Sequence, residues 1–596
     1  MVGNTFVVDI VVDIKNINID RRIYIMKKTT KALSLLLSSL MVVSGLAACG
    51  GIEQVDEKTI VVKCRRAGFG TDWLYELKGR FESLYEAEGY KVHIKTPDNS
   101  IKDSTLIQEL YYGYDNTGVD LYISSGATPD QVGAMGDYGV LVEEIDELVY
   151  NKPAISYDGA EEGKLISEKL SEDVLPYMTD SHGKVYAYNW AQTSGGLVVN
   201  TRKLSAYGLE VPKTTNEMLD CFDKIYCGYN GVGNSIQSST YPITYVSGNS
   251  GYTLCFLYTL IAQYDADFYD TFWSFQSMDE NGVPTNLSDE ECQNLYNHPA
   301  ISEMLRTAYQ TFDMNLAAPG SLSQTVDQAQ AKVMGDVDGA VFMFNGDWML
   351  NEVKLNYEDE LGDIDFVNFP VTSALGIKLF GTGTEYGLND VQCDELLSYI
   401  IGLVDENKGL DEIVSAVKTN KGIDVGKSDV ANVARARGVT YSRGVEHVAY
   451  ITKGSPKKDI AGLFLRMMSS DDFGQTFNRV AHGNTPYYSI ENTTSEYAFV
   501  RNASKITANK YFSLISLFNG TRGYRKQLNM TQFFTTKGHI PDYISSESTA
   551  TIYTPAGGKN GNGAEVYANA AKEFIKNEVA NIVKNWDSYK AAAGLK

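Results

Sequence analysis

Early in the chain, short apolar runs and amphipathic segments alternate, and this pattern restricts the fold more than any other feature of the sequence. The run Thr59–Cys64 predicts a strand, and the residues after Thr71, a candidate N-cap, repeat apolar side chains at helical spacing. A second strand near 90–94, a helix near 105–112 and a third strand at 119–123 follow. Such an alternation predicts a doubly wound parallel sheet, which binds ligands beyond the carboxyl ends of its strands.

The N-terminal segment combines lysines, a short apolar stretch and a cysteine. Lys27, Lys28 and Lys31 form its basic part. The apolar stretch Ala32–Leu46 follows, shorter than the ~20 residues of a comfortable membrane span. It ends in the sequence LAACG at 46–50, which resembles the lipobox of bacterial lipoproteins. The resemblance implies that Cys49 is diacylated and becomes the first mature residue, with an N-terminal transmembrane anchor or a buried helix as the alternative. We therefore predict an upstream extension plus signal peptide at 1–48 and a linker at 49–56.

The charge of the chain excludes one class of partner. Its 75 Asp and Glu outnumber its 52 Lys and Arg, giving a formal net charge of −23. A nucleic-acid-binding face needs clustered Lys and Arg, and the sequence has no such cluster. We expect no nucleic-acid partner.

The cysteines and histidines match no metal-binding pattern. Beyond Cys49 the cysteines are Cys64, Cys221, Cys227, Cys255, Cys292 and Cys393. Their spacings fit no paired zinc-ligand motif, and the six histidines are scattered. Disulfides are possible outside the cytoplasm, but the sequence does not pair them. Small buried residues without a metal are the favoured interpretation, and we expect no metal and no cofactor.

Seven motifs follow one another along the rest of the chain. They are residues 184–188, 195–204, 208–217, 339–348, 366–371, 455–468 and 585–595. In order and spacing they resemble extracellular solute-binding proteins of ABC importers, in the group that includes many sugar binders. Within the sixth motif, Ser455 is the expected N-cap and Pro456 the first helical residue.

The resemblance implies an α/β fold with two lobes, like that of periplasmic binding proteins. Each lobe is a sheet flanked by helices, and crossing hinge strands join the lobes. The predicted boundaries are 57–190 with 440–480 for lobe 1, and 191–439 with 481–596 for lobe 2. The chain departs from the family in length, with apparent insertions near 247–297 and 372–437, the second largely helical around Glu395–Val417.

A cleft between two such lobes suits neutral sugars, because their apolar ring faces stack on Trp or Tyr and their hydroxyls bond to polar side chains. The candidate ligand-binding residues are Trp73, Ser124, Ser125, Asn189, Trp190, Asn345, Asp347, Trp348, Glu446 and His447. Alternatives stay open for several of them. Trp73 also fits the apolar face of its helix, Trp348 also fits a core, and the serines also fit a solvated loop. Trp273 and Trp586 are interpreted as structural.

The sequence thus predicts a lipid-anchored extracellular receptor that captures a carbohydrate, preferably an oligosaccharide, and delivers it to the permease subunits of an ABC transporter. We expect a monomer with no catalytic residue. A glycan-acting enzyme with the same anchor is the rival interpretation, since acidity and abundant aromatics suit it equally. A peptide receptor of the same fold is the third.

Overall fold

A computed structural model describes residues 55–66, 68–95, 103–124, 129–133, 140–171, 174–180, 182–228, 240–246, 251–441, 447–515 and 562–592. The larger of two compact units in the chain, Asp56–Asp115 with Val119–Lys596, contains both main sheets. The predictions for Cys49, Ser125 and Glu446 lie outside the described residues.

The strands, in chain order, are β1 Thr59–Cys64, β2 Lys91–Lys95, β3 Leu121–Ile123, β4 Pro153–Ile155, β5 Glu161–Leu165, β6 Tyr188–Asn189, β7 Gly195–Asn200, β8 Tyr241–Thr244, β9 Gln276–Met278, β10 Pro284–Asn286, β11 Ala340–Gly346, β12 Ile364–Val367, β13 Val439–Tyr441, β14 Val448–Ile451 and β15 Ser513–Ile515.

The α-helices are Asp72–Leu84, Asp103–Tyr112, Tyr114–Thr117, Pro129–Gly133, Ile166–Lys169, Thr201–Ala206, Thr215–Tyr226, Gly251–Tyr264, Ala266–Ser274, Asp289–Gln293, Pro299–Thr311, Val326–Met334, Met349–Val353, Ser373–Phe380, Asp390–Asp405, Leu410–Lys421, Lys427–Gly438, Lys458–Met468, Asp471–Ala481, Ala498–Ala508 and Asn562–Ala592. Short turns of other helix types lie at Asp146–Tyr150, Leu175–Met178, Leu295–Asn297 and Glu358–Asp363.

Lobe 1 is built on a five-stranded sheet in the order β2-β1-β3-β14-β6. The first three strands are parallel, as the alternating sequence pattern predicts, and β1 spans the predicted residues. Strand β14 comes from far along the chain and runs antiparallel between β3 and β6. Five of the six β1 residues are buried, which is expected of a central strand covered on both faces.

Lobe 2 is built on a four-stranded sheet in the order β12-β7-β11-β8. Strand β7 is antiparallel to both of its neighbours, and β8 is parallel to β11. The chain crosses from lobe 1 to lobe 2 between β6 and β7. The predicted two-lobed α/β fold is therefore confirmed.

The second predicted insertion is helical, as expected. Its four helices, from Ser373–Phe380 to Lys427–Gly438, share an apolar core around Leu397, Ile400 and Val433. The main core of lobe 2 is separate and includes Trp273 and Trp586, which are 1% and 3% exposed. Both tryptophans are structural, as predicted.

One predicted helix start is wrong. The helix expected from Pro456 begins at Lys458, and Ser455 is not its N-cap. The Ser455 hydroxyl donates to Asp120 Oδ1 at 2.6 Å and accepts from the Lys457 N–H at 3.1 Å, and Lys457 Nζ lies 2.9 Å from Asp120 Oδ2. Ser455 and Lys457 thus both bind the fully buried Asp120 carboxylate, which a buried charge requires.

Candidate functional site

The carboxyl end of β11 meets the amino end of β7 at the point where the chain crosses between the lobes. Gly346 pairs with Gly195, and the Asp347 N–H donates to the Ser194 carbonyl at 3.1 Å. Nearby, Asn351 Nδ2 donates at 2.7 Å to the carbonyl of Ala481, the last residue of a helix that packs against the lobe 1 helix Asp72–Leu84. Residues that follow β11 are therefore held close to both lobes.

The Asp347 carboxylate is the most perturbed group at this place. The side chain is 5% exposed, and its Oδ2 accepts hydrogen bonds from the Ser194 N–H at 3.2 Å and the Ser194 hydroxyl at 3.3 Å. The other oxygen, Oδ1, is buried and has no hydrogen-bond partner among the described residues. Burial raises the pKa of Asp347 to about 7, and the bonds from Ser194 and the nearby backbone N–H groups of Asp347 and Trp348 only partly oppose this shift. Oδ1 can therefore accept a hydrogen bond from a ligand.

Trp348 lies beside this carboxylate and is half-buried. Its six-membered ring folds back over the end of β11, where a Cβ on Gly346 would come within 2.0 Å of Cζ3. On the lobe 1 side, a Cβ on Gly68 would come within 2.8 Å of Trp348 Cβ and Cδ1. Both positions therefore require glycine, and the indole spans the gap between the loop after β1 and the end of β11.

Trp73 and Trp190 have a different setting. They are 0% and 1% exposed and stack on each other with centroids 5.3 Å apart and 20° between the planes. The Trp190 indole N–H donates to the Ser124 carbonyl at 2.9 Å, and that of Trp73 to the Gly70 carbonyl at 3.1 Å. This lobe 1 tryptophan pair is part of a packed core, which is the alternative noted for Trp73. Ligand contact by either ring stays a prediction.

The other polar candidates mostly form hydrogen bonds with backbone groups. Asn189 Nδ2 donates to the His447 carbonyl at 2.9 Å, and the His447 ring meets Trp190 edge-on with centroids 5.1 Å apart. Asn345 is 3% exposed and its Oδ1 accepts from the Gly346 N–H at 2.7 Å. The Ser124 hydroxyl is buried and has no hydrogen-bond partner within the described ranges. The structure thus brings Asn189, Trp190 and His447 together on lobe 1, and Asn345, Asp347 and Trp348 together on lobe 2.

Sequence reasoning missed two residues of the lobe 2 group. Tyr252 packs against Trp348 with ring centroids 6.2 Å apart, and Ser194 binds Asp347. Tyr252 lies in a segment interpreted as an addition, so no motif pointed to it. Ser194 directly precedes the Gly195-Gly196 pair of a quoted motif, which could have drawn attention to it.

Several other features of the described residues bear on function. No group of three or more His, Cys, Asp or Glu side chains there is arranged to hold a metal ion. Five of the six described cysteines are buried and none is in a disulfide, but Cys227 is exposed, contrary to the prediction of buried residues. None of the helices within these ranges is both long and apolar enough to cross a bilayer.

Comparison with known proteins places the chain in a family. The model of the family described as bacterial extracellular solute-binding protein matches residues 71–475, more than half of the chain. A chitin oligosaccharide binding protein of known structure is 13% identical, with a TM-score of 0.49, covering 88% of this chain and all (100%) of that one. A probable secreted solute-binding lipoprotein from Streptomyces coelicolor is 13% identical, with a TM-score of 0.48, covering 87% of this chain and 99% of that one. A solute-binding protein solved in complex with raffinose is 12% identical, with a TM-score of 0.46 and coverages of 87% and 99%. No curated protein sequence matches significantly. The family match shows that this chain belongs to the bacterial extracellular solute-binding proteins.

Proposed function

We propose that the protein is a lipid-anchored extracellular receptor that captures a carbohydrate, preferably an oligosaccharide, and delivers it to the permease of an ABC transporter. One observation supports the assignment of a carbohydrate ligand. A half-buried indole lies next to a buried carboxylate whose Oδ1 has no hydrogen-bond partner among the described residues.

The chemistry of that pair suits a neutral sugar. The face of the Trp348 indole accepts the apolar C–H face of a sugar ring, and a sugar hydroxyl donates to Asp347 Oδ1. A hydrogen bond to a charged group contributes about 1.5–3 kcal/mol, and here it would also satisfy a buried acceptor. Ser124, whose hydroxyl is likewise buried without a described partner, would add a contact from lobe 1. Closure of the lobes around the ligand follows if the closed state binds it better.

A ligand screen tests the proposal. We expect neutral oligosaccharides to stabilise the purified protein, and peptides, amino acids and polyamines to have no effect. A hundredfold excess over the dissociation constant adds about 2.7 kcal/mol to the free energy of unfolding, which thermal-shift measurements detect. Stabilisation by peptides alone would contradict the carbohydrate assignment, and cleavage of an added oligosaccharide would contradict a pure receptor.

The same ligand then tests the site. We expect Asp347→Asn to weaken binding about 10- to 100-fold in isothermal titration, because the charge-assisted acceptor is lost. Asp365→Asn is the matched control. Burial also raises the pKa of this lobe 2 aspartate, but its carboxylate accepts a hydrogen bond from Asn502 Nδ2 at 2.8 Å. Equal affinities for the two variants would place the ligand elsewhere.

The membrane anchor rests on the lipobox resemblance alone. We expect the mature protein, extracted from bacterial membranes, to begin at Cys49 and to carry the mass of two or more acyl chains. One acyl chain alone binds membranes only marginally, and two hold a soluble domain stably. An unmodified thiol at a processed N-terminus would remove the anchor while leaving the ligand assignment intact.

A further inference from the structure

A groove on the outer face of lobe 1 shares no residue with the candidate site. It runs between the helices Asp72–Leu84 and Asp471–Ala481, whose opposite faces are buried in the lobe 1 core. Two cavities form the groove, of about 460 and 670 Å³. Both are lined by Glu76, Arg80 and Tyr157, so the groove is continuous.

The first helix presents a bare surface to this groove. Tyr75, Gly79 and Ser83 follow one another at four-residue spacing and all line the larger cavity, and Tyr75 is 49% exposed. A glycine inside a helix is less stable than an alanine. Packing does not require it at 79, because a Cβ there would meet no described heavy atom within 4 Å, apart from the neighbouring backbone of its own helix. Next to an exposed tyrosine, Gly79 thus leaves room for a molecule to lie along the helix.

The charged groups of the groove mostly pair within the protein. Glu76 accepts hydrogen bonds from Arg479 Nη2 at 2.7 and 2.8 Å. Asp472 Oδ2 accepts from the Tyr157 N–H at 2.9 Å, and the Arg80 guanidinium lies 5.3 Å from the centre of the Tyr157 ring. In the whole lining, carboxylates outnumber guanidinium groups: Glu76, Asp158, Asp472 and Glu491 against Arg80 and Arg479. The groove therefore disfavours anions.

We propose that this groove is a second carbohydrate site, which binds an internal stretch of a neutral glycan chain too long to be enclosed between the lobes. The Tyr75 ring offers its face to a sugar, and Gly79 lets the chain approach the helix. Uncharged side chains of the lining exchange hydrogen bonds with sugar hydroxyls: Ser83, Gln475, Asn492, Thr493 and Thr494. This inference goes beyond the proposed function and does not require sugar binding at Asp347 and Trp348.

A peptide matches the groove less well. Peptides add to the exposed edge of a sheet or lay an apolar face into an apolar groove. None of the described residues that line this groove belongs to a strand, and its lining mixes charges, amides and hydroxyls.

Affinity electrophoresis tests the site. Wild type, Tyr75→Ala, Tyr75→Phe and Gly79→Gln are run in native gels that contain soluble starch, xylan, mixed-linkage glucan or galactomannan. We expect at least one of these neutral polysaccharides to retard wild type, and the anionic polysaccharide alginate not to. Tyr75→Ala should weaken binding about tenfold because the ring face is lost, and Tyr75→Phe should keep it. Gly79→Gln should weaken binding at least as much without lowering the melting temperature, because glutamine favours the helix but fills the groove.

Two further variants make the outcomes decisive. Tyr111→Ala is the matched control and should bind like wild type, since Tyr111 is 44% exposed on the lobe 1 helix Asp103–Tyr112 and lines neither cavity. Asp347→Asn separates the groove from the cleft. Retardation that survives in Asp347→Asn and is lost in Tyr75→Ala supports the groove even if the proposed function fails. The reverse pattern places the polymer in the cleft and overturns the inference while supporting the proposed function. The inference is also overturned if no neutral polysaccharide retards wild type, if alginate alone does, or if Gly79→Gln binds as tightly as wild type.

Discussion

The two lobes place tryptophans beside the ends of their strands, yet they use them differently. In the lobe 1 tryptophan pair, Trp73 and Trp190 stack at 20°, are fully buried and donate their indole N–H groups to backbone carbonyls. In the lobe 2 aromatic pair, Trp348 and Tyr252 are half-buried, tilted by 49° and next to a carboxylate oxygen to which no described residue donates a hydrogen bond. A tryptophan near a strand end is therefore not by itself a binding residue.

The surroundings of each pair explain the difference. Phe473 and Phe477, on the helix Asp471–Ala481, meet the Trp73 ring edge-on with centroids 5.8 and 5.5 Å away. That helix packs against Asp72–Leu84, so the lobe 1 rings are fully buried. In lobe 2 the glycine at 346 lets the Trp348 ring fold back over the strand end, with no comparable set of rings above it among the described residues.

The largest expected effect is on stability, and it separates the two pairs. We expect Trp190→Ala to lower the free energy of unfolding by about 3–5 kcal/mol, because it leaves a cavity in a packed core. We expect Trp348→Ala to lower it by only about 1 kcal/mol, because its ring is half-buried. Urea denaturation of both variants measures the difference. Similar losses would show that the two pairs are equivalent parts of the core, and the comparison would fail.

Much of the fold could be predicted because it is encoded locally. The residues of β1 were predicted exactly, since a run of apolar and β-branched residues is bounded by polar ones. The start of the helix at Lys458 could not be predicted. Just before it, Ser455 binds Asp120, which lies 335 residues earlier in the sequence. Contacts of this range carry no local signal.

The candidate site likewise has residues that local sequence predicts and residues whose setting depends on long-range contacts. Asp347 and Trp348 could be proposed from sequence because they directly follow an apolar strand in a familiar motif. The burial of Trp73 depends on Phe473 and Phe477, four hundred positions further on, which pattern analysis does not bring together. Tyr252 was missed for a similar reason, because its place depends on the stacking of Phe256 on Phe344.

A smaller effect, on the pH dependence of stability, sharpens the comparison further. The pKa of Asp347 is raised to about 7 in the folded protein, while an unfolded aspartate titrates near 4. Between these values the folded state binds the proton more tightly, so the free energy of unfolding should fall as pH rises from about 4 to about 7. Below this pH range the protonated Asp347 makes its full contribution to the free energy of unfolding, and above the range this contribution is lost. Asp347→Asn should therefore show a shallower fall in urea denaturation across these pH values.

Bound sugar should affect this slope through Asp347 alone. A ligand hydroxyl that donates to Oδ1 favours the ionised carboxylate, lowers its pKa and flattens the slope of wild type. Glu578→Gln is the control, because burial also raises the pKa of Glu578 to about 7, on the C-terminal helix Asn562–Ala592. That variant should lose part of the slope but still respond to sugar, whereas Asp347→Asn should not respond. A ligand response that survives in Asp347→Asn would mean that the sugar meets a different titrating group, and the lobe 2 carboxylate would then be structural, like the tryptophans of lobe 1.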